Sequence, residues 1–437
     1  MPFRPYLPDQ DFLLPPSLRD WLPESHVAYF VSDVVEELDL KAIYAKYGDE
    51  ERGQPPYHPK MMVKLLLYAY CVGVFSSRKI QRRIREDIAF RVLAAGNEPD
   101  FRTISDFRKI HLEALQGFFD QVLKIALQTG AMKLGRVALD GSKVKANASK
   151  HKAMSYGRAQ EEEKRLKGLV REMLERAEAA DAEEDAHCGD RADDADLPKE
   201  LQRHESRLQR IREAKKTIEQ RAREKAEAEG ASPQEARQAK PADKDQYNFT
   251  DPESRIMQGA DGFVQAYNTQ VAVESEFQLI VGQAVTQQTS DKKQVEPMVE
   301  TIERQSGQRP EELLADTGYC SEKNLQYLES ADAADKKIDA YVATDRQKHG
   351  EEPKPAPRGR IPKNATRVDR MRRKLQTKAG KAVYAARKGI VEPVFGQIKQ
   401  ARGFRQFLLR GLKKVQGEWA LVCLTHNILK LYRICYE

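Results

Sequence analysis

Asp140, Asp316 and Glu392 are acids in settings that a solvated surface carboxylate does not need. Asp140 closes the apolar run Val137-Ala138-Leu139 and precedes Gly141-Ser142. Asp316 closes Leu313-Leu314-Ala315 and precedes Thr317-Gly318-Tyr319. Glu392 lies in Val391-Glu392-Pro393-Val394-Phe395-Gly396, at the start of a helical pattern. Two aspartates at strand ends and a glutamate on a later helix can converge on one point, the usual way to build an oxygen-ligand site for Mg²⁺. From Arg346 to Lys414 there are 21 Lys/Arg against 4 Asp/Glu. That imbalance suits a polyanion, whereas a merely solvated helix mixes its signs. The expected chemistry is phosphodiester transfer, which needs charge neutralisation at phosphorus, an activated hydroxyl and a stabilised leaving oxygen. Two metal ions about 3.5–4 Å apart supply all three. Asp140 is expected to bridge both ions, with Asp316 and Glu392 each holding one. Close carboxylates repel, so at least one should have a raised pKa that Mg²⁺ reverses.

The chain around these residues has 437 positions, room for two or three structural units. It is 40% apolar and 32% charged with a mean hydropathy of −0.70, so it folds but keeps much of its length solvated. The five cysteines (Cys71, Cys188, Cys320, Cys423, Cys435) are scattered without a C-x-x-C pair, which argues for a reducing compartment and against structural zinc. Met1 to Pro16 has no apolar signal core. The run Ala420 to Cys435 is too short and too polar to span a bilayer. A cytoplasmic protein is expected, with no membrane contact.

Three stretches differ in pattern. Residues 1–125 read as an all-α region, with apolar helical spacing over Val27 to Tyr47, Met61 to Val74 and Ser77 to Val92. The last of these carries Arg78, Lys79, Arg82, Arg83 and Arg85. It is either a DNA-reading element or a core helix with its charged side in water. Residues 156–245 are rich in charge and alanine. Leu201, Leu208, Ile211 and Ile218 form a heptad seam there, with a second stripe at Leu166, Leu169, Val170, Met173 and Leu174. An antiparallel helical hairpin turning through Asp181 to Pro198 is expected, inserted into a globular domain made of residues 126–155 and 246–437. In that domain Phe263 to Val273 and Phe277 to Val285 read as hairpin strands. A helix (Lys292 to Arg304), the strand into Asp316, a helix (Ser321 to Ser330) and a strand (Ile338 to Ala343) come next. After a basic loop, Gln347 to Thr366, come helices over Val368 to Lys399 and Val415 to Tyr432. The order implies an α/β fold: a mixed, ribonuclease-H-like sheet with helices on both faces.

Leu139-Asp140-Gly141-Ser142-Lys143-Val144-Lys145-Ala146-Asn147-Ala148-Ser149 resembles the first-aspartate block of bacterial insertion-sequence transposases of the DDE type. Leu314-Ala315-Asp316-Thr317-Gly318-Tyr319 resembles their second block. Tyr384 through Glu392 to Gly411 resembles the glutamate block, with Tyr384, Arg387, Glu392 and Lys399 as its tyrosine, arginine, acid and lysine. Pro59-Lys60-Met61 to Phe107-Arg108 is similar to the N-terminal domain of these enzymes, and the nearest group is insertion-sequence family eleven-eighty-two. The likeness covers nearly the whole chain except the helical insert and the basic loop. One departure is the gap from Arg387 to Glu392, a residue longer than the commoner pattern. The resemblance implies a Mg²⁺ enzyme, two ions with Mn²⁺ as a substitute, that cuts double-stranded DNA at inverted-repeat ends. The 3′-hydroxyl so released joins to target DNA, at the nucleoid and with a homodimer as the working form. Lys399 falls two helical turns after Glu392 and so on the same face. Lys399, Arg402 and Arg405 are expected to grip backbone phosphates, with Arg387 beside them, and Tyr384 either to stack on a flipped base or to pack in the core.

Other acids and nucleophiles carry less. Asp291 and Asp345 read as loop caps, Asp251 and Glu253 as solvated turn residues, and Cys320 as structural. His187-Cys188 is an isolated pair in an acidic turn. A tyrosine recombinase is disfavoured, because the one His-x-x-Arg match, His204 to Arg207, falls inside the heptad helix. A nuclease that cuts without joining, and an inactive transposase-derived DNA-binding protein, are the alternatives.

Overall fold

The computed structural model describes residues 17–47, 55–186, 197–228, 230–259, 262–330, 337–345 and 359–436. Residues 347–358 of the basic loop, and residues 187–196 with the His187-Cys188 pair, lie outside them. The chain divides into two compact units, one made of residues to Val144 and from Asn268 onward, the other of Lys145–Tyr267.

Among the described residues eight strands run in chain order: β1 Arg136–Lys145, β2 Ala153–Ser155, β3 Gln246–Asn248, β4 Arg255–Gly259, β5 Gly262–Glu274, β6 Ile280–Thr286, β7 Glu312–Ala315 and β8 Asp339–Val342. In the first unit they are ordered β6-β5-β1-β7-β8. β6 is antiparallel to β5, while β1, β7 and β8 are mutually parallel. This mixed sheet, preceded by helices, is consistent with the ribonuclease-H-like arrangement expected from the sequence. The apolar runs before the two aspartates are buried strand: Val137, Ala138, Leu139, Leu313, Leu314 and Ala315 are all 0% exposed. A parallel strand covered on both faces reads as a continuous apolar run in this way.

The helix Leu412–Tyr436 is the centre of this unit. It is apolar nearly all round, which suits a helix with no solvent face. Trp419 to Leu424 is fully buried, packed against helices Val27–Glu37, Pro59–Cys71 and Leu112–Gln128 and against β6. The N-terminal helices therefore share one core with the sheet. The Asn427 side-chain amide accepts from the Ile280 N–H (2.8 Å) and donates to the Ile280 carbonyl (2.8 Å), so it stands in for a neighbouring strand at the start of β6. Phe75, Phe404, Phe407 and Trp419 form an edge-to-face aromatic chain that seats the segment after Arg402. Gly73, at φ +77, approaches the same segment so closely that a Cβ there would lie 2.6 Å from the Arg402 carbonyl oxygen.

Three expected long helices are each two pieces. Val27 to Tyr47 breaks at Asp39, whose carboxylate accepts from the Lys41 N–H; Ser77 to Val92 breaks at Asp87, which caps Ala89. Val368 to Lys399 breaks at Thr377, whose hydroxyl caps Gly380. In each case one short polar side chain takes one orphan N–H of a new first turn.

The second unit holds the two long helices Tyr156–Ala186 and Leu197–Ala228. They run antiparallel, Tyr156 meeting Glu219 and Glu163 meeting Lys215, over a seam of Leu166, Leu208 and Ile211. β2 pairs with β3, and β4 with the first half of β5. Asp251 is a correction to the sequence reading. It is fully buried and accepts from the Tyr267 hydroxyl at 2.9 and 3.0 Å, because a buried carboxylate needs a donor on hand.

Candidate active site

β1 and β7 lie side by side in register, Leu139 against Ala315, so the next residues, Asp140 and Asp316, are neighbours across the sheet. Asp140 sits inside β1 rather than ending it, because the strand continues to Lys145. Its Oδ1 accepts from the Gly141 N–H (2.8 Å). Asp316 leaves β7 directly into a short turn, where its Oδ1 caps Gly318 (2.8 Å). Burial pushes the Asp140 pKa up to about 6. Arg387 opposes that rise, while the negative Asp316 adds to it. Two adjacent carboxylates, one of them reluctant to ionise, make a donor set that a hard divalent cation would suit.

Arg387 comes from the helix Lys378–Gly396, whose buried positions Arg387, Ile390, Val391 and Val394 recur at helical spacing. Its Nη1 donates to Asp140 Oδ2 at 3.4 Å, and Tyr384, half-buried, lies against it. Pro393 inside this helix has no N–H for the Gly389 carbonyl. Gln278, at the turn between β5 and β6, donates its amide to that carbonyl instead (2.8 Å). The same Gln278 accepts from Lys430 (2.7 Å) and meets His426 Nε2 through its carbonyl (3.0 Å). The helix that brings Arg387 to the aspartates is thus pinned to the hairpin and to the central helix.

Glu392 is not brought to the pair. Its side chain is exposed, on the same helix as buried Arg387 but five residues further on. Among the described residues no three His, Cys, Asp or Glu side chains stand together as a metal-ligand group. Lys399 does reach the site. A π-helical turn, Gln397–Ala401, interrupts the α-helical phase between them, so Glu392 and Lys399 do not share a face. Lys399 Nζ donates to Ser142 Oγ and to the Lys143 carbonyl (3.1 Å). Burial lowers its pKa, with Asp140 pulling the other way.

Arg402 is another correction. Only 8% exposed, it donates to Thr425 Oγ1 (2.8 Å) and the Val422 carbonyl (3.0 Å) inside the central helix, so it cannot lie on a DNA-facing track. Arg405 is exposed and braced by the Lys399 carbonyl (3.2 Å).

Sequence reasoning passed over Asp291, which the structure places against the segments that follow both aspartates, close to Gly141 and Gly318. It accepts from Asn268 Nδ2 (2.6 Å), Gln270 Nε2 (2.8 Å) and Lys143 Nζ (3.3 Å). A signal was present: Asn268 and Gln270 are amides two apart in the buried stretch of β5, and buried amides require partners.

Two family models match the chain, Transposase domain (DUF772) over residues 16–110 and Transposase DDE domain over residues 238–428. No curated protein and no solved structure matches it. A DDE domain defines a metal-dependent enzyme of DNA cleavage and strand transfer. With the transposase domain ahead of it in the same chain, the protein belongs to the insertion-sequence DDE transposases. It therefore acts on DNA. No helix among the described residues is long and apolar enough to cross a membrane.

Proposed function

We propose that Asp140, Asp316 and Glu392 are the three carboxylates of the transposase reaction, acting with Mg²⁺ on transposon-end DNA within a ribonuclease-H-like domain. The observation that carries this reading is the in-register adjacency of Asp140 and Asp316, with Arg387 and Lys399 delivered to the same spot by one helical segment. Asp140 and Asp316 would hold the ion, and Glu392 would join them from the helix that already supplies Arg387. The bound ion supplies charge neutralisation at the scissile phosphate.

The chain's own side chains divide the remaining work. Arg387 balances the Asp140 charge and lies where a phosphate oxygen would meet it. Lys399, held by Ser142, and exposed Arg405 bind the DNA backbone and set its register without reading sequence. Tyr384 offers a ring face to an unstacked base. The helical region up to residue 125, with its basic helix Ser77–Glu86, adds DNA contacts. The working form is a homodimer on paired ends, a bacterial enzyme of family eleven-eighty-two working at the nucleoid. A monomeric protein–DNA complex in light scattering would count against the dimer.

The test combines purified protein, labelled inverted-repeat DNA, a target plasmid and Mg²⁺. Joined products support the proposal. Cutting without joining points to a nuclease, and binding alone to a DNA-binding descendant.

A further inference from the structure

Asp291 lies at the hub of a polar network that ties together the two segments that follow Asp140 and Asp316. On one side, Lys143, three residues past Asp140, donates to both Asp291 oxygens at 3.3 and 3.5 Å. On the other, the Tyr319 hydroxyl, three residues past Asp316, donates to Gln270 Oε1, and Gln270 Nε2 donates onward to Asp291 Oδ1. Asn268 closes the ring, donating to Asp291 and accepting from Gln270 (3.1 Å). Asn324 clasps the backbone of both flanks, donating to the Lys292 carbonyl (2.6 Å) and the Tyr319 carbonyl (2.7 Å).

The packing over this ring leaves no slack. A Cβ on Gly141 would lie 2.3 Å from Gln270 Nε2 and 2.9 Å from Asp291 Oδ1. A Cβ on Gly318 would lie 3.0 Å from Asp316 Oδ1 and 3.7 Å from Asp291 Oδ2. Gly141 directly follows Asp140, and Gly318 lies two residues past Asp316. Tyr319 is fully buried within the field of Asp291, Asp140 and Asp316 together. Asp291 itself spends Oδ1 on three donors, which suits a brace better than a metal ligand.

We propose that Asp291 is a positioning residue for strand cleavage: through Lys143 on one side and Gln270–Tyr319 on the other, it fixes the spacing of Asp140 and Asp316. This rests on the reading of those two aspartates as catalytic. The polar ring is fully connected, so it can hold the backbone more rigidly than separate contacts could. Rate is sensitive to such spacing, since a misplacement of about 1 Å can cost on the order of a hundredfold.

The test compares Asp291→Ala, Asp291→Asn, Gln270→Ala, the Asp291→Ala/Gln270→Ala double variant and Asp140→Asn. End cleavage is measured at saturating inverted-repeat DNA, DNA affinity separately, and Mn²⁺ binding on the DNA-free protein. Asp291→Ala should cut at least about tenfold more slowly, with DNA affinity within about twofold of wild type and weaker Mn²⁺ binding. Asp291→Asn keeps the acceptor for the two amides but loses the charge facing Lys143, so it should fall between. The double variant should be no slower than the worse single one, as expected for residues of one network. Wild-type cleavage rates in both Asp291 variants would overturn the proposal. So would an Asp291→Asn defect matched by an equal loss of DNA affinity with Mn²⁺ binding unchanged. If Asp291→Ala fails to fold, the near-isosteric Asp291→Asn carries the test. Full activity in Asp140→Asn would instead indict the assignment of the aspartates.

Discussion

Arg387 and Asp140 are separated by 247 positions in the chain, yet the guanidinium donates to the carboxylate at 3.4 Å. The contact joins the helix Lys378–Gly396 to the central strand of the sheet. It also supplies half-buried Asp140 with a partner, since removing charge from water is tolerated when a partner is supplied. Nη1 makes that contact, whereas Nε of the same guanidinium is buried and has no hydrogen-bond partner among the described residues. A bound phosphate is the kind of group that would complete it.

Asp140→Asn should abolish both cleavage and joining while leaving DNA affinity within about twofold, because phosphate contacts, not the carboxylates, dominate binding. Glu392→Gln should behave the same way despite the outward direction of its side chain. Gel-shift and joining assays run in parallel decide this. Joining by Glu392→Gln at the wild-type rate would remove Glu392 from the machinery.

Arg402 and Arg405 should separate cleanly. Arg402→Ala removes two buried hydrogen bonds and packing within the central helix, and should cost about 2–4 kcal/mol in urea unfolding. Arg405→Ala should change stability by less than about 0.5 kcal/mol but weaken DNA binding and flatten its salt dependence by roughly one counterion. The reverse pattern would return Arg402 to the DNA surface.

Gly141→Ala should destabilise the fold by about 1–3 kcal/mol, because Gln270, the neighbour that must yield, is pinned at both ends. Its cleavage rate should fall further than the stability loss alone explains. Thermal melts together with single-turnover cleavage measure the two effects, and an unstrained, fully active Gly141→Ala would show that the ring gives way.

His426 provides the pH dependence. Burial in the central helix depresses its pKa to about 3, so the folded protein keeps it neutral. The unfolded chain protonates near pH 6.5. Its contribution to stability is therefore complete above about pH 6.5 and is lost as pH falls toward 3, at up to about 1.4 kcal/mol per pH unit. Urea midpoints at pH 7, 6 and 5 should fall more steeply for wild type than for His426→Gln. Parallel slopes would mean that other groups carry the acid sensitivity.

The strands that deliver Asp140 and Asp316 were legible in the sequence because short apolar runs ending in an acid have few other uses. The block around Tyr384, Arg387 and Lys399 was legible through its resemblance to the glutamate block of DDE transposases. What escaped was decided by single residues or by distant partners. Asp39, Asp87 and Thr377 each start a new helix with one hydrogen bond, an event that periodicity averages away. The π-turn at Gln397–Ala401 shifts the helical phase without any change in composition. Arg402 looked like one more charge in a basic run, since nothing local reveals that Thr425 and Val422 enclose it. Asp291 looked solitary because its partners come from Lys143, Asn268 and Gln270, which meet it only once the sheet is assembled.

The central position of Leu412–Tyr436 also sets an order of events during synthesis. Translation delivers the chain from its N-terminal end, so Val27–Glu37, Pro59–Cys71 and Leu112–Gln128 emerge long before the segment they enclose. Until that late segment leaves the ribosome, the apolar surface that these helices turn toward it stays uncovered, and the helix that carries Arg387 lacks the Lys430 and His426 contacts that reach it through Gln278. A nascent chain should therefore be a client for chaperones, and a ribosome stalled near codon 400 would hold a polypeptide that carries the proposed catalytic carboxylates but lacks the central helix that seats the site.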